Sequence, residues 1–129
     1  MERLRIPGAP SPTGPFSTAV RAGSLLFIAG QRGIDPSTGQ LVAEDIRTRA
    51  RRTLENMRII VEGAGSDMAN VVATTVYLRD LVGGRPIINE LYEEFFGSNR
   101  PTRTILEVSR LAQDDLVEIT AVAFIPERE

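Results

Sequence analysis

The stretch Pro101-Thr102-Arg103-Thr104-Ile105-Leu106-Glu107-Val108 reads as a β-strand. Thr, Ile, Leu and Val dominate it, and its proline stands at the start, where a missing N–H costs a ladder nothing. At a period of two, Arg103, Ile105 and Glu107 share one face, and Thr104, Leu106 and Val108 share the other. An arginine on such a strand must stay solvated or meet an anion. The plainer alternative is a surface arginine on an edge strand.

C-terminal to this strand, Ala112-Gln113-Asp114-Asp115 reads as a turn. Leu116 to Ile125 then forms the last strand, with Val117, Ile119, Ala121, Ala123 and Ile125 on one face and Leu116, Glu118, Thr120, Val122 and Phe124 on the other. N-terminal to it, Pro86 suits the first turn of a helix carrying Ile88, Leu91, Tyr92 and Phe95, which stops at Gly97; Asp80 to Gly84 reads as the loop before it. Val71 to Leu78 is a strand. Asp45 to Glu62 is the clearest helix, because Ile46, Ala50, Thr53, Met57, Ile60 and Ala64 recur at steps of four and three, with Leu54 and Val61 widening the stripe. Further back come an extended piece at Leu41 to Ala43, a buried strand at Ser24 to Ala29 ended by Gly30-Gln31, and a short strand at Phe16 to Val20. Residues 1–15 hold four prolines and read as an irregular arm; residues 126–129 read as a frayed tail.

Three strands, a helix, a strand, a helix and two strands predict an α+β domain over residues 1–129: a mostly antiparallel six-stranded sheet with both helices on one face. The other face keeps many apolar positions with no helix left to cover it, which predicts an oligomer without fixing its number.

Composition narrows the chemistry. The 129 residues contain no histidine and no cysteine, which removes His-activated nucleophiles, thiol catalysis and disulfides. Carboxylates, arginines, hydroxyls, backbone groups and water remain. The lack of cysteine and of an apolar N-terminal stretch fits a cytoplasmic protein. No apolar run approaches a membrane-spanning length, and a net charge of −2 gives no general attraction for nucleic acid or membrane. The five arginines of the first long helix, at 47, 49, 51, 52 and 58, spread around its polar arc and read as a solvated face.

Glu118 is the most informative carboxylate. Leu116, Val117, Ile119 and Val122 flank it, a setting in which charge is costly unless paired or neutralised. One reading pairs it with an arginine, of its own chain or of a neighbouring one. The other gives it a raised pKa in a cleft, where it holds a water or passes a proton.

Four blocks in order, Gly14-Pro15-Phe16-Ser17, Ile28-Ala29-Gly30-Gln31, Pro101-Thr102-Arg103 and Leu116-Val117-Glu118-Ile119, resemble the Rid family of small enamine/imine deaminases from about Gly14 to Phe124. The resemblance implies a chorismate-mutase-like fold and a homotrimer whose sheets form a central barrel, with sites in the clefts between subunits. It implies that Arg103 grips a substrate carboxylate and that Glu118 positions and activates water. Backbone around Gly30 and Ile105 would hold the nitrogen end of the substrate, with Phe16 and Ser17 lining the site. The implied reaction turns a 2-enamino or 2-imino acid into the 2-oxo acid and ammonia without a cofactor. Two departures stand out. Phe16 replaces a frequent tyrosine and Ala29 a frequent serine, which makes the cleft more apolar and leaves open a trimer that only binds a metabolite or protein. Asn89 and Tyr92 could also reach the cleft.

Overall fold

The computed structural model describes residues 1–127. In chain order it contains β1 (Glu2–Leu4), β2 (Ala19–Ala22), β3 (Leu25–Gln31), α1 (Ile46–Gly63), β4 (Val71–Leu78), α2 (Leu81–Phe96), β5 (Thr102–Glu107) and β6 (Val117–Phe124). The six strands form one sheet in the order β1-β2-β3-β6-β4-β5.

The expected α+β architecture is present, with two differences in detail. Four of the strand pairings are antiparallel, whereas β4 and β5 run parallel because α2 carries the chain back to the same end of the sheet. The sixth strand is not the piece at Leu41 to Ala43, which makes only an isolated bridge between Ile34 and Leu41. It is β1, inside the arm expected to be irregular, paired to β2 from Glu2↔Arg21 to Leu4↔Ala19. Ile6 then plugs the core and lies so close to α1 that a Cβ on Gly63 would come within 2.7 Å of it. Of the expected tail, Arg128 and Glu129 lie outside the described residues.

The helix stripe reads through to packing. Ala50, Thr53, Leu54, Met57, Ile60 and Val61 are buried on α1, and Ile88, Leu91 and Phe96 on α2, against Leu26, Ile28, Val76, Leu78, Ile119, Ala121 and Ala123 of the sheet. Asp45 caps α1 by accepting from the Thr48 amide at 2.9 Å, and Asp80 caps α2 by accepting from Gly83. That second cap starts α2 at Leu81, within the expected loop, so Pro86 sits inside the helix and not in its first turn. Its missing N–H falls opposite the Val82 carbonyl, on a highly exposed residue open to solvent.

Among the described residues, nothing covers the other sheet face. Leu25, Phe27, Leu106 and Phe124 stand exposed there, around Thr75, Thr120 and Val122. The helix arginines do not simply solvate. Arg47 and Arg51 pair with Glu90 and Glu94 of α2, and Arg58 lies over the Phe95 ring. Arg49 is buried, because Asp115 and the Val42 carbonyl satisfy it.

Candidate active site

The cleft begins as an irregularity between two strands. From Ile28↔Ala121 to Gln31↔Ile119, β3 spends two intervening residues against one on β6, so Ala29 and Gly30 form a bulge. Glu118 lies across it. A Cβ built on Gly30 would come within 2.5 Å of Glu118 Oε2 and 2.9 Å of its Cγ, so glycine is the residue that lets the glutamate side chain lie flat on β3. The group that approaches Gly30 closely is this carboxylate.

The chain before β2 forms the opposite wall. Phe16 does not belong to the expected strand at Phe16 to Val20. Its amide turns back to the Gly14 carbonyl at 2.9 Å, and β2 starts only at Ala19. Phe16 and Ser17 therefore face a cavity of about 390 Å³, together with Pro10, Pro12, Ala29, Gly30, Arg32 and Glu118. Phe16 is half exposed over it. With Ala29 beside it, much of the lining is apolar, as the two departures predicted.

Under the cleft floor lies a charge cluster that sequence reading missed. Asp115, expected in a turn, is fully buried. It accepts from Arg49 Nη1 at 3.0 Å, the Leu116 amide at 2.7 Å and the Gly33 amide at 3.2 Å. Arg32, also buried, comes within 3.6 Å of Asp115 Oδ2 and 4.0 Å of Glu118 Oε1. It donates to the Ala112 carbonyl and to Gln113 Oε1. Gln113 and Asp114 both adopt positive φ, which bends this loop over the guanidinium. Asn56 of α1 completes the frame by donating to the carbonyls of Arg32 and Ile34. The signal for Arg32 was a charge within the otherwise uncharged run Ile28 to Ile34; nothing in the sequence named its partner.

Burial pushes the half-buried Glu118 carboxyl above its ordinary value, Asp115 adds to the rise, and Arg32 opposes it.

Arg103 sits elsewhere. It pairs with Thr74, which faces Ala121, three residues along β6 from Glu118. Its guanidinium lies on the helix-covered side, donating to Asn89 Oδ1 at 2.8 Å and stacking 5.2 Å from the centre of the Tyr92 ring. Tyr92 donates in turn to Thr74 Oγ1 at 2.8 Å, and burial pushes its phenol up to about 12, so it stays neutral. Asn89, Glu90, Tyr92, Glu93, Arg100, Pro101 and Arg103 line a separate hollow of about 510 Å³. Ile105, on the same face of β5, packs against the core. Because β5 ends the sheet and the Val108 amide bonds toward β4, alternation turns the backbone groups of Arg103 and Ile105 outward to the open edge. One chain thus gathers Phe16, Ser17, Ala29, Gly30 and Glu118 in one cleft and holds Arg103 and Ile105 in another place. Asn89 and Tyr92 join Arg103, not the cleft of Glu118.

Fold and cleft define a class: a small α+β protein with one helix-covered sheet face and a carboxylate laid across a glycine bulge. Residues 7–125 match the family model described as Endoribonuclease L-PSP. The chain is 48% identical over 116 residues to a RutC family protein of Pyrococcus horikoshii, covering 90% of this chain and 91% of that one. It is 43% identical to human 2-iminobutanoate/2-iminopropanoate deaminase, covering 89% and 83%. Among solved structures, a putative endoribonuclease of Thermotoga maritima superposes with a TM-score of 0.92 at 36% identity, covering 98% and 100%. E. coli TdcF with bound serine gives 0.91 at 34%, with the same coverage. The chain belongs to the endoribonuclease L-PSP family, the Rid proteins.

Proposed function

We propose that this protein is a cofactor-independent deaminase that hydrolyses 2-imino acids, and enamino acids after tautomerisation, to 2-oxo acids and ammonia. The observation that carries this reading is Glu118: a half-buried carboxyl with raised proton affinity, pinned over Gly30 in a largely apolar cleft. Relatives named as 2-iminobutanoate/2-iminopropanoate deaminases, in human and Salmonella, support it.

In this reading a homotrimer brings the Arg103 edge of one subunit against the Glu118 cleft of the next. The uncovered apolar sheet face supplies the association surface. Arg103, already oriented by Asn89 and Tyr92, forks onto the substrate carboxylate. The outward backbone of Ile105 and the bulge at Gly30 bracket the nitrogen end. Glu118 takes a proton from water as its oxygen adds to the C=N carbon. That proton passes to nitrogen to give the neutral carbinolamine. Glu118 then takes the hydroxyl proton and delivers it to the amino group as the C=O forms and the C–N bond breaks, and ammonia leaves. The carboxyl returns to its starting state, so positioning and one proton carrier suffice.

The test generates 2-imino acids from a panel of amino acids with an amino-acid oxidase, while semicarbazide competes for the imine. The enzyme is expected to lower semicarbazone formation, and Arg103→Ala and Glu118→Ala to lose that effect. An enzyme without effect across the panel sinks the reading. A second reading, a trimer that binds a metabolite without turning it over, draws on Phe16 and Ala29, which withhold two hydroxyls from the cleft. RNA cleavage is not favoured: the chain has no histidine, its net charge is −2, and three arginines of α1 engage α2.

A further inference from the structure

The cleft carboxylate has a neighbour that the chemistry above does not use. Arg32 follows the bulge, turns its Nε toward Glu118 at 4.0 Å, and is 7% exposed. Two acceptors hold its plane, the Ala112 carbonyl at 2.9 Å and Gln113 Oε1 at 2.8 Å. Asp115, fully buried and bound to Arg49 and two amides, fixes the far side. A guanidinium clamped from three directions cannot swing to follow a substrate; it can only act on what lies beside it. What lies beside it is Glu118.

We infer that Arg32 is the positioning residue of Glu118, and that the Gln113–Arg32–Asp115 cluster sets where the cleft carboxyl lies and at what pH it changes charge. The inference builds on the proposed role of Glu118 but concerns a property of the free protein. The groups around Glu118 make the assignment specific. Tyr77 of β4 sits directly across from it in register, Gly30 lies beneath it, and Asp115 stands just ahead of its strand. The arm residues on the far wall of the cavity, from Pro10 to Phe16, include none that titrates. Arg32 is the nearby cation, and Asp115 is the anion it shares with Arg49. Burial and Asp115 drive the carboxyl toward its neutral form, and Arg32 alone works against them. Removing the cation leaves both opposing influences in place.

The experiment is a carbon-13 NMR titration of side-chain carboxyls in the ligand-free protein, with the Glu118 signal assigned by its loss in Glu118→Gln. Arg32→Gln is expected to move the Glu118 midpoint upward. Arg32→Lys, which keeps a charge without the planar fork, is expected to bring it part of the way back. Gln113→Ala, at an exposed position, is expected to move it in the same direction by less. Arg51→Gln, whose partner is Glu94 on the outer surface, is expected to leave it at the wild-type value. An unmoved or lowered midpoint in a folded Arg32→Gln overturns the inference, as does an equal rise in Arg51→Gln. If Arg32→Gln does not fold, Gln113→Ala decides by the same criterion. Where imines are turned over, the acidic limb of the kcat/KM profile follows the midpoint, each unit costing about tenfold at a fixed lower pH. A midpoint that moves in a protein inactive on every imine would sink the deaminase reading and leave this one standing.

Discussion

The Glu118 cleft and the Arg103 edge carry the two charged groups of the proposed chemistry, and they are built in opposite ways. Glu118 lies on the uncovered face over a buried network of Arg32, Arg49, Asn56 and Asp115 that ties β3, α1 and the start of β6 together. Arg103 stands on the last strand of the sheet, held by two side chains of a single helix. The first region is set by the fold of the whole chain. The second is a local arrangement on an edge with unpaired backbone. A carboxyl that must keep an unusual proton affinity needs the first kind of support; an always-charged guanidinium that only has to be aimed needs the second.

Substitutions can break this contrast. The largest effect is expected from Arg103→Ala and Glu118→Ala, each lowering imine hydrolysis by about 10²-fold or more while circular dichroism and oligomer size stay at wild type. Asp115→Ala should cost stability instead, about 3–5 kcal/mol in urea unfolding, because it strands the buried Arg49 and Arg32. A loss as small as that of an exposed ion pair would show the cluster to be loosely held. Gly30→Ala sharpens the comparison. Gly30 has no left-handed φ to forbid alanine, so the strain falls on the Glu118 side chain lying within 3 Å of the new Cβ. Hydrolysis is expected to drop by about 10²-fold with only a small change in unfolding midpoint. On the other side, Tyr92→Phe removes one hydrogen bond to Thr74 and should cost about 1 kcal/mol. The ring that stacks on Arg103 survives, so activity is expected to stay near wild type.

The smallest effect is a pH dependence. The folded pKa of Glu118 is raised, so its stabilising contribution is present below the ordinary value of 4.5 and is lost as pH rises through the folded value. Glu118→Gln does not titrate. Its melting temperature relative to wild type should therefore climb as pH rises through that window. A flat difference would mean that Glu118 is solvated in the folded state.

The two regions were also unequally legible from sequence. Period-two and period-3.6 patterns reveal faces, so Val117 to Ile125 and Ile46 to Ala64 announced both core surfaces and the exposed side of Glu118. Patterning is silent on which segments meet. Asp115 beside Asp114 has the composition of a turn, and only the fold shows Arg49 arriving from α1 to bury it. Arg49 read as one of five solvating arginines for the same reason. Prolines at 7, 10, 12 and 15 spoke for an irregular arm, and the three-residue β1 ahead of them was too short to leave a pattern. The separation of Arg103 from Glu118 follows from a helix crossover that makes β5 parallel to β4, a choice that strand composition does not encode.

The proline-bearing arm gives the cleft a separate origin for its two walls. One wall belongs to the sheet, where the bulge register holds Gly30 and Glu118 against each other. The other, from Pro10 to Phe16, is anchored at one end by Ile6 and at the other by β2, and makes no strand of its own. Inherited variation can therefore reshape the outer wall residue by residue while the Glu118 wall stays fixed. Under the deaminase reading, relatives of this chain have a route to new side-chain preferences that leaves the proposed reaction intact.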